Sequence, residues 1–128
     1  MKTHVKGYAD LKIYNTSFEL AHEVHKMSLT LPKYELYESG SQVRRSSKSI
    51  TANIVEGYGR KRYHAEFIRF LIFSHASCDE TIVHLKMINL NHFNNEKLND
   101  LIDKFHQLSK QIFNFIDYVE KNWKTGKG

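Results

Sequence analysis

A single proline, Pro32, interrupts 128 residues, and the six glycines sit near apparent junctions or the ends of the chain. Long uninterrupted helices are therefore open to this chain, and a turn-rich sandwich is not. The apolar spacing agrees. Ile13, Leu20, Val24, Met27 and Leu31 fall in one narrow sector when each residue is turned by about 100°, the mark of an amphipathic helix. Its start is open between Asp10 and a Thr16-x-x-Glu19 capping box, and Pro32 ends it. Leu36, Gly40, Val43, Ser47, Ile50 and Ile54 alternate four- and three-residue steps, a bundle seam that stops at Gly57 and Gly59. A third seam joins Phe67, Leu71, Ser74, Cys78, Thr81, Leu85 and Ile88. A fourth, behind the cap candidates Asn94 and Asn95, joins Leu98, Leu101, Phe105, Leu108, Ile112, Phe115 and Val119. These spacings predict helices over about 11–31, 35–58, 63–90 and 95–123. The fold expected is all-α: one antiparallel up-down-up-down four-helix bundle occupying 1–128.

The third helix carries a second apolar side. Ile68, Ile72, Ala76 and Val83 lie roughly opposite its seam, and the run FIRFLIF is broken only by Arg69. A helix apolar nearly all round must be buried on both sides, which one small bundle rarely offers. Ile68, Ile72, Ala76 and Val83 are therefore expected to form a contact between copies of the chain.

Hydrophobic residues make up 41% and charged residues 26%, ordinary globular proportions that exclude a disordered or low-complexity chain. The lone cysteine, Cys78, forbids an internal disulfide and a thiolate zinc cluster, which favours a cytoplasmic location. The opening MKTHVKGYADLKIY lacks the apolar core of a signal peptide, and the stretch Phe70 to Cys78 falls far short of the roughly 18 residues that span a bilayer. Neither secretion nor membrane insertion is expected.

Catalytic and metal chemistry find little footing. Glu19-x-x-His22 and Asp103-x-x-His106 resemble parts of a di-iron ligand set, with Glu56 and Glu80 on the remaining helices. On an ideal wheel those two pairs point away from their seams, so no metal or other cofactor is expected. Cys78 sits on an apolar seam, where a thiol behaves as a small hydrophobe. The histidines, His4, His22, His25, His64, His75, His84, His92 and His106, are scattered without a nucleophile beside them. Gly57-Tyr58-Gly59 closes a helix instead of cradling a phosphate after a strand. No enzymatic activity is expected.

Charge points elsewhere. The net +5 lies entirely in residues 1–62, and Arg44 to Arg62 hold six basic residues against the single acid Glu56. Arg44, Arg45 and Lys48 occupy the side of the second helix away from its seam, and Arg60, Lys61 and Arg62 fill the turn that follows. Such a set can neutralise phosphates and release counterions, with Tyr58 and Tyr63 placed to stack on unpaired bases. The leading expectation is a protein that binds nucleic acid, structured RNA above all. The alternative is an oligomeric scaffold or adaptor for a protein partner, with its arginines paired to Glu56 or Glu66 and no direct contact with nucleic acid.

The wording of the second and third helices resembles a known family. Arg44-Arg45, Ser49-Ile50, Ala52-Asn53-Ile54, Glu56-Gly57 and Gly59-Arg60, followed by Glu66-Phe67-Ile68-Arg69-Phe70-Leu71, are similar to the signature of the four-helix-bundle proteins encoded in intervening sequences of bacterial 23S ribosomal RNA genes. Val55 replaces the usual alanine. In the later stretch Ser74 to Glu80, Ser77 and Glu80 match, whereas Ser74 and Ala76 depart. The similarity runs over about residues 11–120. It implies a ring-like homopentamer without known enzymatic activity, ribosomal RNA as a candidate partner, and a fold shared with the accessory proteins of diversity-generating retroelements, basic pentameric barrels that bind nucleic acid and a reverse transcriptase. By that analogy Arg44, Arg45, Lys48, Arg60, Lys61 and Arg62 repeat around the ring.

Overall fold

The structure, a computed structural model, describes residues 5–123. Four long helices account for most of it: α1 (Lys12–Ser28), α3 (Ser39–Gly59), α4 (His64–Ile88) and α5 (Glu96–Asn122), with the single turn α2 (Lys33–Leu36) between the first two. No strand forms among the described residues, and no helix is long and apolar enough to cross a membrane.

Cross-helix hydrogen bonds set the directions. Ser17 meets Thr51 and Ser28 meets Arg44, so α1 and α3 run antiparallel. Ser46 meets Thr81, and Ser49 meets Ser77 nearer the other end of the contact, which makes α3 and α4 antiparallel as well. His64 on Val119 and Asn89 on Asn99 do the same for α4 and α5. With α5 back against α1, the four helices close an up-down-up-down bundle. Its core follows the apolar periods: Val24, Val43, Ile50, Ile54, Phe67, Leu71, Leu85, Phe105, Leu108 and Ile112 are all buried.

The α3–α4 interface is the closest of these, because small and hydroxylated residues face one another there. Ser74 Oγ donates to the Ile50 carbonyl (2.8 Å), and Thr81 Oγ1 to Ser46 Oγ (2.9 Å). Each of these buried hydroxyls is thereby satisfied. A β-carbon on Gly57 would stand 3.1 Å from Phe70 Cβ and 3.2 Å from the Phe67 carbonyl, tight enough that α4 would have to give by a few tenths of an ångström to admit one. Asn53 Nδ2 donates back to the Ser49 carbonyl (2.9 Å) and hydroxyl (3.0 Å), orienting Ser49 toward Ser77. Of the two departures from the family wording, Ser74 joins this interface and Ala76 faces outward.

Two helix boundaries differ from expectation. The first helix ends at Ser28 rather than 31, and Asp10 caps the turn before it, accepting from Lys6 N (2.8 Å). The second helix, expected over 35–58, is broken at Tyr37 and Glu38, where Glu38 has φ −103° and ψ −96°. The break is held from outside. Glu35 accepts from the Ser39 hydroxyl (2.9 Å) while its other oxygen lies 2.9 Å from His92 Nε2, in the turn after α4. That turn, Asn89–Phe93, is a π-helical extension closed by Asn94 in the left-handed region at φ 51°. Asn95 then caps α5 by accepting from Leu98 N (2.9 Å).

The hydrogen bonds from His92 and Ser39 hold the Glu35 carboxyl below its ordinary 4.5. A carboxyl depressed in the folded state stabilises the fold above its unfolded pKa and loses that contribution as pH falls through the folded value. Urea midpoints of the wild type and Glu35→Gln should therefore differ at neutral pH and converge as pH drops below 4.5. A gap that stays constant through acidification would remove the carboxylate from this role.

Candidate nucleic-acid interface

The six cations singled out by charge separate into two groups. Arg44 and Arg60 spend their guanidinium groups inside the chain. Arg44 leans to the α1 side, donating to Ser28 Oγ (2.8 Å) and to the Leu36 carbonyl (3.1 Å), so it fastens the end of α1 and the linker onto α3. Arg60, one residue past α3, pairs with Glu56 (2.9 Å) and Glu66 (3.3 Å) and lies 4.7 Å from the centre of the Phe70 ring. Glu66 also takes Arg69 (3.5 Å), which packs over Phe73. Exposed pairs of this kind contribute little to stability, about 0–1 kcal/mol each. Their electrostatic effect is to neutralise Glu56 and Glu66, the acids nearest the turn.

Arg45, Lys48, Lys61 and Arg62 form the second group. None has a carboxylate oxygen within 4.0 Å among the described residues. Arg45 reaches only the Ser41 hydroxyl at 3.5 Å. It stands one turn from Lys48 on the outer face of α3, beside exposed Ala52. Lys61 lies 4.2 Å from the centre of the Tyr58 ring, and Arg62 is exposed in the turn to α4. At 1.5 Å of rise per residue Lys48 lies about 16 Å along α3 from its end at Gly59, where the turn that holds Lys61 and Arg62 begins.

The two tyrosines have opposite roles. Tyr58 is buried, meeting Phe67 and Trp123 edge to face at 6.3 and 6.2 Å, and so belongs to the core. Tyr63 is 64% exposed.

On α4, Ile72, Ala76 and Val83 face away from the bundle, with Ile72 50% and Val83 51% exposed. Ile68 instead packs against its own core. Phe73, Met87 and Leu90 extend the exposed stripe. Phe73 stands three residues before Ala76, Met87 four after Val83 and Leu90 three beyond Met87, the spacing by which a wheel test finds them.

One polar cluster escapes any reading of spacing. Ser109 Oγ on α5 donates to Asp79 Oδ1 (3.0 Å) and lies 3.0 Å from His75 Nε2, both on α4. The hydroxyl has one hydrogen and gives it to the carboxylate, so His75 is left to donate, the reverse of a general base. Asp79 stands 3.9 Å from His75 Nδ1, beyond hydrogen-bond reach of the ring it would have to orient. The cluster is a tie between helices. Cys78, fully buried, donates to the Phe105 carbonyl (3.4 Å), and burial, with the Asp79 charge adding, pushes its thiol up to about 12. Glu19, His22, Asp103 and His106 are exposed, and no three His, Cys, Asp or Glu side chains among the described residues gather closely enough to hold a metal ion. His4 lies outside the described residues.

A crystal structure from Bacteroides thetaiotaomicron, described as a protein of unknown function from the S23 ribosomal protein family, shares this fold with a TM-score of 0.73. The two are 20% identical, over 82% of this chain and 95% of that one. No curated protein matches the sequence. The model of the 23S rRNA-intervening sequence proteins matches residues 9–114, which takes in α1 through most of α5 together with the Ser49-to-Arg60 wording that holds α3 against α4, and the chain belongs to that family.

Proposed function

We propose that this chain is a non-catalytic, self-assembling bundle that binds nucleic acid, structured RNA above all, through the outer face of α3 and the α3–α4 turn. Uncompensated charge carries this reading: Arg45, Lys48, Lys61 and Arg62 have no carboxylate partner among the described residues, while Glu56 and Glu66 are already taken by Arg60 and Arg69. Fixed cations at that spacing attract a polyanion and bind it by displacing its counterions. The family's name ties its members to 23S rRNA intervening sequences, which makes ribosomal RNA the first RNA to test. Assembly runs through the exposed apolar stripe of α4. Five subunits in a ring is the stoichiometry that the family resemblance implies, and repetition of the cations around it raises the avidity of weak contacts.

Fluorescence anisotropy against a ribosomal RNA fragment across a salt series tests the reading. Lys61→Ala with Arg62→Ala should weaken binding and flatten the salt dependence by about 0.7–0.9 per lost phosphate contact. Arg44→Ala supplies the contrast. It removes a charged donor from two hydrogen bonds and should cost about 1.5–3 kcal/mol of stability while leaving the salt slope alone. Unchanged affinity and slope in the double variant would turn the reading to the adaptor alternative, a scaffold for a protein partner.

A further inference from the structure

We infer that the α3–α4 turn recognises unpaired nucleotides, with Tyr63 as the stacking platform; the inference rests on the nucleic-acid reading above and specifies its ligand. Tyr63 is 64% exposed, and its ring joins none of the aromatic pairs or cation–ring contacts among the described residues. The backbone that carries it is held firmly. Tyr63 N donates to the Arg60 carbonyl (2.9 Å), and the Tyr63 carbonyl accepts from Glu66 N and Phe67 N (3.0 Å each). Arg60 is in turn clamped by Glu56 and Glu66. A bare aromatic ring thus projects from a turn fixed on both sides, next to Arg62 and Lys61, which lack carboxylate partners.

The chemistry of the two nucleic-acid forms separates them at such a place. A duplex presents phosphates outward and keeps its base faces stacked on one another, so it engages the cations and gives the ring nothing to stack on. An unpaired base, in a single strand, loop or bulge, offers a π-face to the ring while its flanking phosphates meet Lys61 and Arg62. Because the backbone beneath the ring is already fixed, only the side chain's own torsions are left to order on binding. Tyr34 and Tyr37, also exposed, lack this setting: Tyr34 packs against His92, and Tyr37 stands between Leu36 and Glu38.

The test compares an unstructured RNA strand with a fully paired RNA duplex of equal length, by anisotropy at one salt concentration, for the wild type, Tyr63→Ala and Tyr63→Phe. The wild type should prefer the strand. Tyr63→Ala should lose about tenfold on the strand and little on the duplex, and Tyr63→Phe should restore the preference, because the face and not the hydroxyl is used. A 2-aminopurine in the strand should be quenched on binding by the wild type and not by Tyr63→Ala. Equal wild-type affinities for strand and duplex, or equal losses on both in Tyr63→Ala, would overturn the stacking role while leaving the basic surface standing. Absence of binding to either RNA would overturn both. Circular dichroism confirming wild-type helix content in Tyr63→Ala assigns the loss to the ring.

Discussion

Phe67→Ala should lower the unfolding free energy by about 3–5 kcal/mol, the cost of emptying a fully buried aromatic site. Phe67 lies where three helices and the end of the described chain meet. Its ring makes edge contacts with Tyr58 of α3 at 6.3 Å, Phe115 of α5 at 6.1 Å and Trp123 at 5.1 Å. Aromatic pairs in this arrangement gain beyond the area they bury, so truncation removes both the transfer energy and the pairing. The space left is poorly placed to collapse. One wall is backbone, because α3 at Gly57 leaves too little room beside the Phe67 carbonyl for an unhindered β-carbon, and the other walls are rings that lose a partner. A domain of this size has about 5–15 kcal/mol in total, so the variant should melt roughly 10–20 °C below the wild type. Phe113→Ala is the control: its ring is exposed on α5, and its loss should stay within about 0.5 kcal/mol. A Phe67→Ala cost under about 1 kcal/mol would mean that the aromatic cluster is not the packed end of the bundle.

The same neighbourhood explains why much of this molecule was legible in the sequence and some of it was not. Val43, Ile50, Ile54, Phe67, Leu71 and Leu85 are buried because a helix repeats every 3.6 residues, a rule that needs no knowledge of any partner. The Glu56–Arg60 pair follows from the same period, the two standing four residues apart across the end of α3. Other contacts depend on where separate helices come to rest. Arg44 reads from its own helix as a surface cation. It is withdrawn from solvent chemistry by Ser28 and Leu36, which approach it only after the α1–α3 connection has folded back. The break at Tyr37 and Glu38 is hidden for the same reason, since Glu35 is held by a histidine 57 residues away. Family wording gave a different kind of information. Ser49, Asn53, Gly57 and Ser77 all bear on the α3–α4 contact, so this part of the family wording is a packing motif, while the cations on which the proposed binding rests lie on the outer face of α3 and in the turn.

Ile72→Glu should dissociate the assembly into folded subunits. Ile72, Ala76, Val83 and Met87 mark a stripe along the outer face of α4, about 22 Å long at 1.5 Å per residue, and its large members are half exposed or more. Nothing in the subunit's own core depends on them: Leu71, Ser74, Cys78 and Leu85 form the opposite face and are fully buried. A glutamate at 72 therefore leaves the bundle intact, and circular dichroism should return the wild-type helix content. Between subunits the same carboxylate would be stripped of water without a partner, at several kcal/mol for every contact in the assembly. At about 1.4 kcal/mol per tenfold, even 4 kcal/mol weakens each contact roughly a thousandfold. Light scattering should then report the mass of one chain, 15.1 kDa, where the wild type should give a multiple of it. A wild-type monomer, or a variant whose mass does not change, would refute assembly through this face. Dissociation also separates the two halves of the functional proposal. Each released subunit keeps Arg45, Lys48, Lys61 and Arg62, so the salt slope for a short RNA that touches one subunit should persist, while affinity for a long RNA should fall because the linked second contact is gone. A variant that loses both equally would mean that the phosphate-binding surface exists only across subunits, formed by cations that no single bundle brings together.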